Sequence, residues 1–192
     1  LYRRRAQLSD VARKRLQERG VSADLRVLSP GQPAQVGPFR VHPIRVAHSV
    51  LDSLALAIET PAGTVLASGD FKIDASAPPE ERTDLEALTR WGDRGVLALL
   101  SDSTNVEQPG TTGGEDEVLP AFEEVLARTR GRVLVSCFAT SIPRIQRVAD
   151  LAASTHRPVA FLGRRMVDNA AVALDLGLLR LSESVRLTPG AL

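Results

Sequence analysis

The sequence predicts an α/β chain in two parts, on three observations. Two short apolar, β-branched-rich runs, residues 54–58 and 64–67, flank a Thr60-Pro61-Ala62-Gly63 turn, a hairpin pattern. Residues 96–100 are continuously apolar and end in the polar cluster Ser101-Asp102-Ser103-Thr104-Asn105. From 115 onward, segments of helical period alternate with short apolar runs, the texture of a parallel αβα arrangement.

In chain order, Leu8, Val11, Ala12 and Leu16 fall at helical spacing and Gly20 stops the segment, so an amphipathic helix with a C-terminal glycine is expected. Residues 25–28 read as a strand and Ser29-Pro30-Gly31-Gln32-Pro33 as a turn. Residues 39–47 alternate as a further strand whose end delivers His48 to a loop. After the hairpin, residues 74–81 are polar and Pro-rich, a surface loop. Leu85, Leu88 and Trp91 share one face of a short helix. The run 96–100 carries the signature of a strand buried on both faces. Residues 108–114 are loop, which divides the chain into domains 1–110 and 111–192.

In the second part, Val118, Leu119, Phe122, Val125 and Leu126 make an amphipathic helix, and 133–138 a strand. Ser141 caps the next helix, Pro143 sits in its first turn, and Ile142, Ile145, Val148 and Leu151 form its buried stripe. Residues 158–162 are a strand, Gly163-Arg164-Arg165 a turn, and 166–176 a helix ended by Gly177. Two strands around one such helix make a parallel βαβ unit.

Composition narrows the function classes. An apolar fraction of 43% suits a chain that buries a core. The single cysteine, Cys137, excludes an internal disulfide and fits a reducing compartment; in an apolar run it reads as a small buried residue rather than a nucleophile. No apolar run approaches the roughly 20 residues of a membrane span, and the Arg-rich start lacks the apolar core of a signal peptide. A cytoplasmic protein with no membrane partner is expected. The chain opens on Leu1 and ends on Ala191-Leu192 without a closing element, as a piece cut at both ends would. Net charge is +1, yet residues 1–20 carry seven basic side chains, which a solvated helix face explains more simply than a phosphate-binding one. Lysine occurs only at 14 and 72, a weak pointer to chemistry at Lys72.

The candidate chemistry gathers around the hairpin. Antiparallel pairing brings the start of one strand beside the end of the other, so His48, before the first strand, and Asp70, after the second, are expected to meet at one sheet edge. An imidazole and a carboxylate converging beside Gly69 suit a zinc site. A structural histidine and a turn-capping Asp explain the same residues with less. His42, inside a strand, reads as packed or surface, and His156 as a helix C-terminal residue. Asp102 stands at the carboxyl end of a strand, where open α/β sheets place ligands, though Ser, Asp, Thr and Asn equally favour a turn. Ser141, Arg144 and Arg164 lie at two helix starts, where free N–H groups and added positive charge attract phosphate. Arginine on an exposed helix start is also ordinary.

The ordered series HSVLDS, SGDFKID, LLSDSTNVEQPG, FATSIPRIQ and GRRM, from 39 to 177, resembles the ribonuclease J family. Those enzymes are metallo-β-lactamase-fold nucleases with an inserted β-CASP domain. The resemblance implies a partial metallo-β-lactamase αββα sandwich followed by a partial β-CASP domain. It implies metal ligation by His48, a metal-bridging and catalytic role for Asp70, and support of the metal and of proton transfer by Asp102. Lys72 matches the family's lysine beside the site, and Asp52 and Ser53 its loop-shaping pair. Two zinc ions, or Mn or Mg, are the implied cofactors. RNA is the implied partner, and self-association of the longer protein is left open. The family's His-x-His-x-Asp-His motif and closing histidine motif are absent, and Pro143 stands where the family presents a histidine, offering neither proton nor ligand. With His48 and Asp70 as the only two ligands, the 192-residue chain is expected neither to hold two zinc ions nor to cut RNA. Two other readings are a hydrolase of other phosphoesters or DNA on the same fold, and a catalytically silent RNA-binding or scaffold subunit.

Overall fold

The computed structural model describes residues 16, 19–22, 25–50, 52–110, 113–182 and 185–187. The basic side chains at 3–15, and most of the helix expected before Gly20, lie outside them. Leu16 is helical, and Val21 N–H donates to its carbonyl at 2.9 Å across Gly20. The chain divides into two compact units, Asp24–Gly114 and Leu1–Ala23 with Glu115–Leu192.

The first unit holds a five-stranded sheet in the order β1 (Ala34–Val36), β2 (Phe39–Arg45), β3 (Leu54–Thr60), β4 (Gly63–Ala67), β5 (Ala98–Leu100). Neighbours are antiparallel up to β4, and β5 runs parallel to β4. The expected hairpin is β3–β4, closed at Thr60↔Gly63, where Thr60 Oγ1 donates to Gly63 O at 2.8 Å. The connection from β4 to β5 contains helix α1 (Leu85–Arg94), so this unit holds a βαβ crossover. Asp84 caps α1 by accepting the Ala87 N–H at 2.9 Å. Alternation along β2 and β3 puts Ile44, Ala55 and Ala57 on one face, which with Val46, Leu66 and the buried Trp91 of α1 forms the core. Phe71, Ala87, Leu88 and Val96 pack on its margin. The alanines at the sheet centre leave room for the Trp91 ring to sit close. Pro43 is tolerated inside β2 because β1 has ended by then; its carbonyl accepts instead from Gly31 N–H at 3.0 Å.

Three expectations fail in this unit. Residues 25–28 are not a strand, and Val27 is 48% exposed, so their alternation buries too little. The run at 96–100 is not buried on both faces. β5 is the last strand of the sheet, and Leu97, Leu99 and Leu100 are 64%, 58% and 63% exposed. Asp74, read as the start of a surface loop, is buried.

The second unit has a 3-10 turn (Glu115–Val118) leading into α2 (Leu119–Arg128), then α3 (Ile142–Ser154) and α4 (Arg164–Asp175). Arg147 pairs with Asp116, and the Arg157 guanidinium donates to the Thr129 carbonyl at 2.5 Å and to that of Gly131, satisfying acceptors just past the end of α2. The buried face of α3 is Ile142, Ile145, Ala149 and Ala152; Val148 and Leu151 of the expected stripe are only half-buried. α4 starts two residues before its expected position, directly after Gly163. The expected strand at 133–138 has no ladder, and Leu134 and Phe138 are 84% and 77% exposed. That at 158–162 makes one parallel bridge, Val159 to Arg186. Among the described residues the parallel pairing expected between these two segments is not formed; Val159 instead exchanges backbone bonds with Val185 and Leu187. The chain as a whole is mixed α/β.

Candidate functional site

The hairpin register decides where the candidate donors meet. Arg45 pairs with Leu54, and Leu56 with Ala67, so the chain leaving β2 and the chain leaving β4 emerge at the same sheet edge. Gly69 turns the second of these at φ 59°, with its backbone so close to the Leu54 carbonyl that an added Cβ would lie 3.1 Å from the oxygen. His48 Nε2 and Asp70 Oδ2 come within 3.7 Å, and the side chains are 27% and 79% exposed. They face solvent together rather than hydrocarbon. Ser49 Oγ lies 3.3 Å from the same imidazole nitrogen.

Asp102 joins this rim from the end of β5. Its N–H donates to Ser68 Oγ at 2.9 Å, and Ser68 Oγ–H in turn donates to Gly69 O at 2.7 Å. The Asp102 carboxylate accepts Thr104 Oγ1–H at 2.6 Å and Thr104 N–H at 3.0 Å. Those bonds hold its pKa below the ordinary carboxylate value; burial opposes them, while the Phe71 N–H and the nearby His48 add to the lowering. Lys72 Nζ lies 3.0 Å from Asp74 Oδ2, and the other Asp74 oxygen accepts Ser76 N–H at 2.9 Å and Ser76 Oγ–H at 2.6 Å. Lys72 is thus tethered by a buried carboxylate. An added Cβ at Gly114 would collide with Ser76 Oγ and come within 2.7 Å of Asp74, so glycine is required where the chain closes on this pair. Ser53 Oγ donates to Val50 O at 2.8 Å, and Asp52 has φ 60°.

Two residues that organise the rim were not singled out in the sequence, Ser68 and Thr83. Both are buried, and each bridges two backbone segments through one hydroxyl. No spacing rule marks such a residue, because its partners are set by the tertiary path. His42 is packed, as expected: its ring lies edge-on to Trp91 at 4.8 Å. The sequence showed no carboxylate near it, but the neighbouring strand brings Glu59 Oε2 to 3.0 Å from Nε2.

The remaining candidates lie in the second unit. Ser141 occupies the N-cap of α3 and is buried, but its side chain makes no capping bond, which corrects that expectation; its carbonyl accepts Ile145 N–H at 3.0 Å. Arg144 is half-buried on the first turn of α3 and Arg164 is exposed as the first residue of α4. Cys137 is half-buried; burial pushes its thiol up, against the pull of Arg144, which fits an unreactive sulfur.

His48 and Asp70 fit part of a cation site. Zinc bonds of about 2.0–2.1 Å set tetrahedral ligands roughly 3.3 Å apart, close to the observed donor separation. Among the described residues no group of three or more His, Cys, Asp and Glu side chains is placed to hold a metal ion.

Comparison with known proteins agrees with this organisation. Residues 130–191 match the family described as "Ribonuclease J, beta-CASP domain". A protein named Ribonuclease J from Mycobacterium tuberculosis (strain ATCC 25618 / H37Rv) is 44% identical over 154 residues, 80% of this chain and 28% of that protein. One of the same name from Synechocystis sp. is 40% identical over 176 residues, 90% of this chain and 28% of that protein. One from Helicobacter pylori (strain J99 / ATCC 700824) is 41% identical over 149 residues, 78% and 22% respectively. This chain therefore spans less than a third of the length of these relatives. A crystal structure of a protein of unknown function from Enterococcus faecalis V583 has the same fold, with a TM-score of 0.61 at 14% identity over 96% of this chain and 48% of that one. With some 40–44% identity to these relatives over most of its length and the β-CASP match in its second unit, the chain belongs to the ribonuclease J family.

Proposed function

We propose that this chain is the part of a metal-dependent ribonuclease that supplies two of its cation donors and the start of its β-CASP surface, the longer protein hydrolysing RNA phosphodiesters in the cytoplasm. The observation that carries the reading is the 3.7 Å approach of His48 Nε2 to Asp70 Oδ2 on an open rim, with Asp102 beside them. Two zinc ions, or Mn or Mg, are the cofactors this donor set suits in part. When bound, such a cation supplies Lewis acidity and a water that loses its proton near neutral pH. His48 and Asp70 donate to it. Asp102, kept anionic by Thr104, accepts a proton or a hydrogen bond at that rim. Lys72, tethered by Asp74, offers a fixed positive charge to a phosphate oxygen. Ser141, Arg144 and Arg164 belong to the β-CASP part, where the two helix starts and their arginines favour phosphate. No helix of the described residues is long and apolar enough to cross a membrane.

The test is cleavage of a labelled RNA by the family-length protein with manganese or zinc. Asp70→Ala is expected to lower kcat by a factor of about 100 or more, the scale of losing one group that acts in the transition state. Unchanged cleavage would remove Asp70 from the site. The same variant addresses the scaffold reading, under which RNA binding with its salt dependence persists and no cleavage is seen in either form. A second measurement concerns this chain alone. Its three histidines include His42, which is tied to Glu59, so the purified 192-residue chain is expected to retain fewer than two zinc ions by elemental analysis and to leave RNA uncut.

A further inference from the structure

We propose that Thr83 is a positioning residue that sets the spacing of His48 and Asp70 through a hydroxyl inserted into a β-bridge; the proposal rests on reading those two side chains as cation donors. Ala47 and Lys72 face each other as an isolated antiparallel bridge. In a hydrogen-bonded pair of that kind the two residues exchange both of their N–H···O bonds. Here one bond is direct, from Lys72 N–H to Ala47 O at 2.8 Å. Thr83 carries the other. Ala47 N–H donates to Thr83 Oγ1 at 2.9 Å, and Thr83 Oγ1–H donates to Lys72 O at 2.6 Å. The one hydroxyl thus links the Ala47 N–H to the Lys72 carbonyl, a wedge on that side of the bridge.

The location gives the wedge its consequence. His48 follows Ala47 by one residue, and Asp70 precedes Lys72 by two. The bridge is the backbone clamp nearest to both donors, so its width governs their separation. Thr83 is itself held: Asp84 N–H donates to Arg45 O at 3.0 Å, Arg45 Nε donates to Arg82 O at 2.9 Å, and Asp84 caps α1. Thr83 is 8% exposed, so bulk water is not at hand to replace its hydroxyl. A side chain that both accepts and donates from one atom is required, which only Ser and Thr provide at that length. Valine keeps the shape and loses both bonds.

The experiment uses the isotope-labelled chain and its Thr83→Val and Thr83→Ser variants. In the unsubstituted chain the Thr83 hydroxyl proton is expected to exchange slowly and to show a cross-peak to the Ala47 amide. Thr83→Val is expected to speed exchange of the Ala47 amide by about tenfold or more and to shift the His48 ring resonances, while Thr83→Ser leaves both in place. The proposal is overturned if the Val variant moves neither, or if the Ser variant moves them as much as Val does. Should the Val variant not fold, the hydroxyl proton and the Ser variant decide: absence of the cross-peak overturns the proposal, and its presence with an unshifted Ser variant supports it. In the family-length protein Thr83→Val is expected to lower kcat with KM little changed, and Thr83→Ser to restore it. If the unsubstituted protein proves not to be a nuclease, the functional reading fails by itself, and the Ala47 and His48 readouts still judge the wedge.

Discussion

Asp102 shows how a single residue's chemistry is set by its neighbours. The bonds from Thr104 favour the ionised carboxylate, so its pKa in the folded chain lies below that in the unfolded chain. A depressed carboxylate pKa means the unfolded state binds the proton more tightly. The associated stability is therefore present above the unfolded carboxylate range and is lost as pH falls through the folded value. Thr104→Val removes the 2.6 Å bond and is expected to move the Asp102 titration upward, toward an ordinary carboxylate. The carboxyl-carbon shift followed against pH measures it, and an unmoved midpoint would mean that another group holds the charge. Glu59 obeys the same sign, lowered first by its bond to His42. That partnership could not be read from the chain, since 17 residues separate the two and only the β2–β3 register joins them. His48 and Asp70 were legible for the opposite reason. They flank one hairpin, and a hairpin's register follows from its turn.

At the scale of elements, helix ends repay attention. α4 closes with Gly177 in the left-handed region, Leu178 N–H reaching back to Ala173 O at 2.8 Å. α3 closes in the same way, with Arg157 N–H donating to Ala152 O at 2.8 Å, yet the left-handed residue is His156 at φ 55°. A side chain in that conformation is strained, and glycine relieves the strain at some cost in unfolded-chain entropy. His156→Gly is expected to stabilise the second unit by about 0.5–1 kcal/mol, read as a raised urea midpoint at constant slope. A lowered midpoint would show that the His156 side chain contributes more than its backbone costs. Helices α2, α3 and α4 were readable from periodicity because their bonds are local. The strands expected at 25–28, 133–138 and 158–162 were not formed as strands, because apolar alternation supplies only half of a strand and the ladder partner supplies the rest.

At the scale of the whole molecule, the sheet of the described residues ends on a parallel strand. β5 is the last strand of that sheet, and Leu99 and Leu100, with Leu97 just before it, are exposed. Such an edge is a template for association. The purified chain is expected to self-associate with rising concentration, and Leu99→Lys to reduce that association without lowering helix content; sedimentation velocity and circular dichroism measure the two. Equal association by the Lys variant would place the contact elsewhere.

Two kinds of information meet in this protein. The order of residues alone determined what depends on nearest neighbours along the chain: the helices, the hairpin turn, the edge to which His48 and Asp70 are delivered, and the family to which the sequence belongs. Only the tertiary structure decided that Thr83 bonds both residues of the Ala47–Lys72 bridge, that Asp74 is buried against Lys72, and that β5 is the last strand of its sheet with exposed leucines. Those facts rest on contacts between segments distant in sequence, whose energies come from a path through space that no local periodicity encodes.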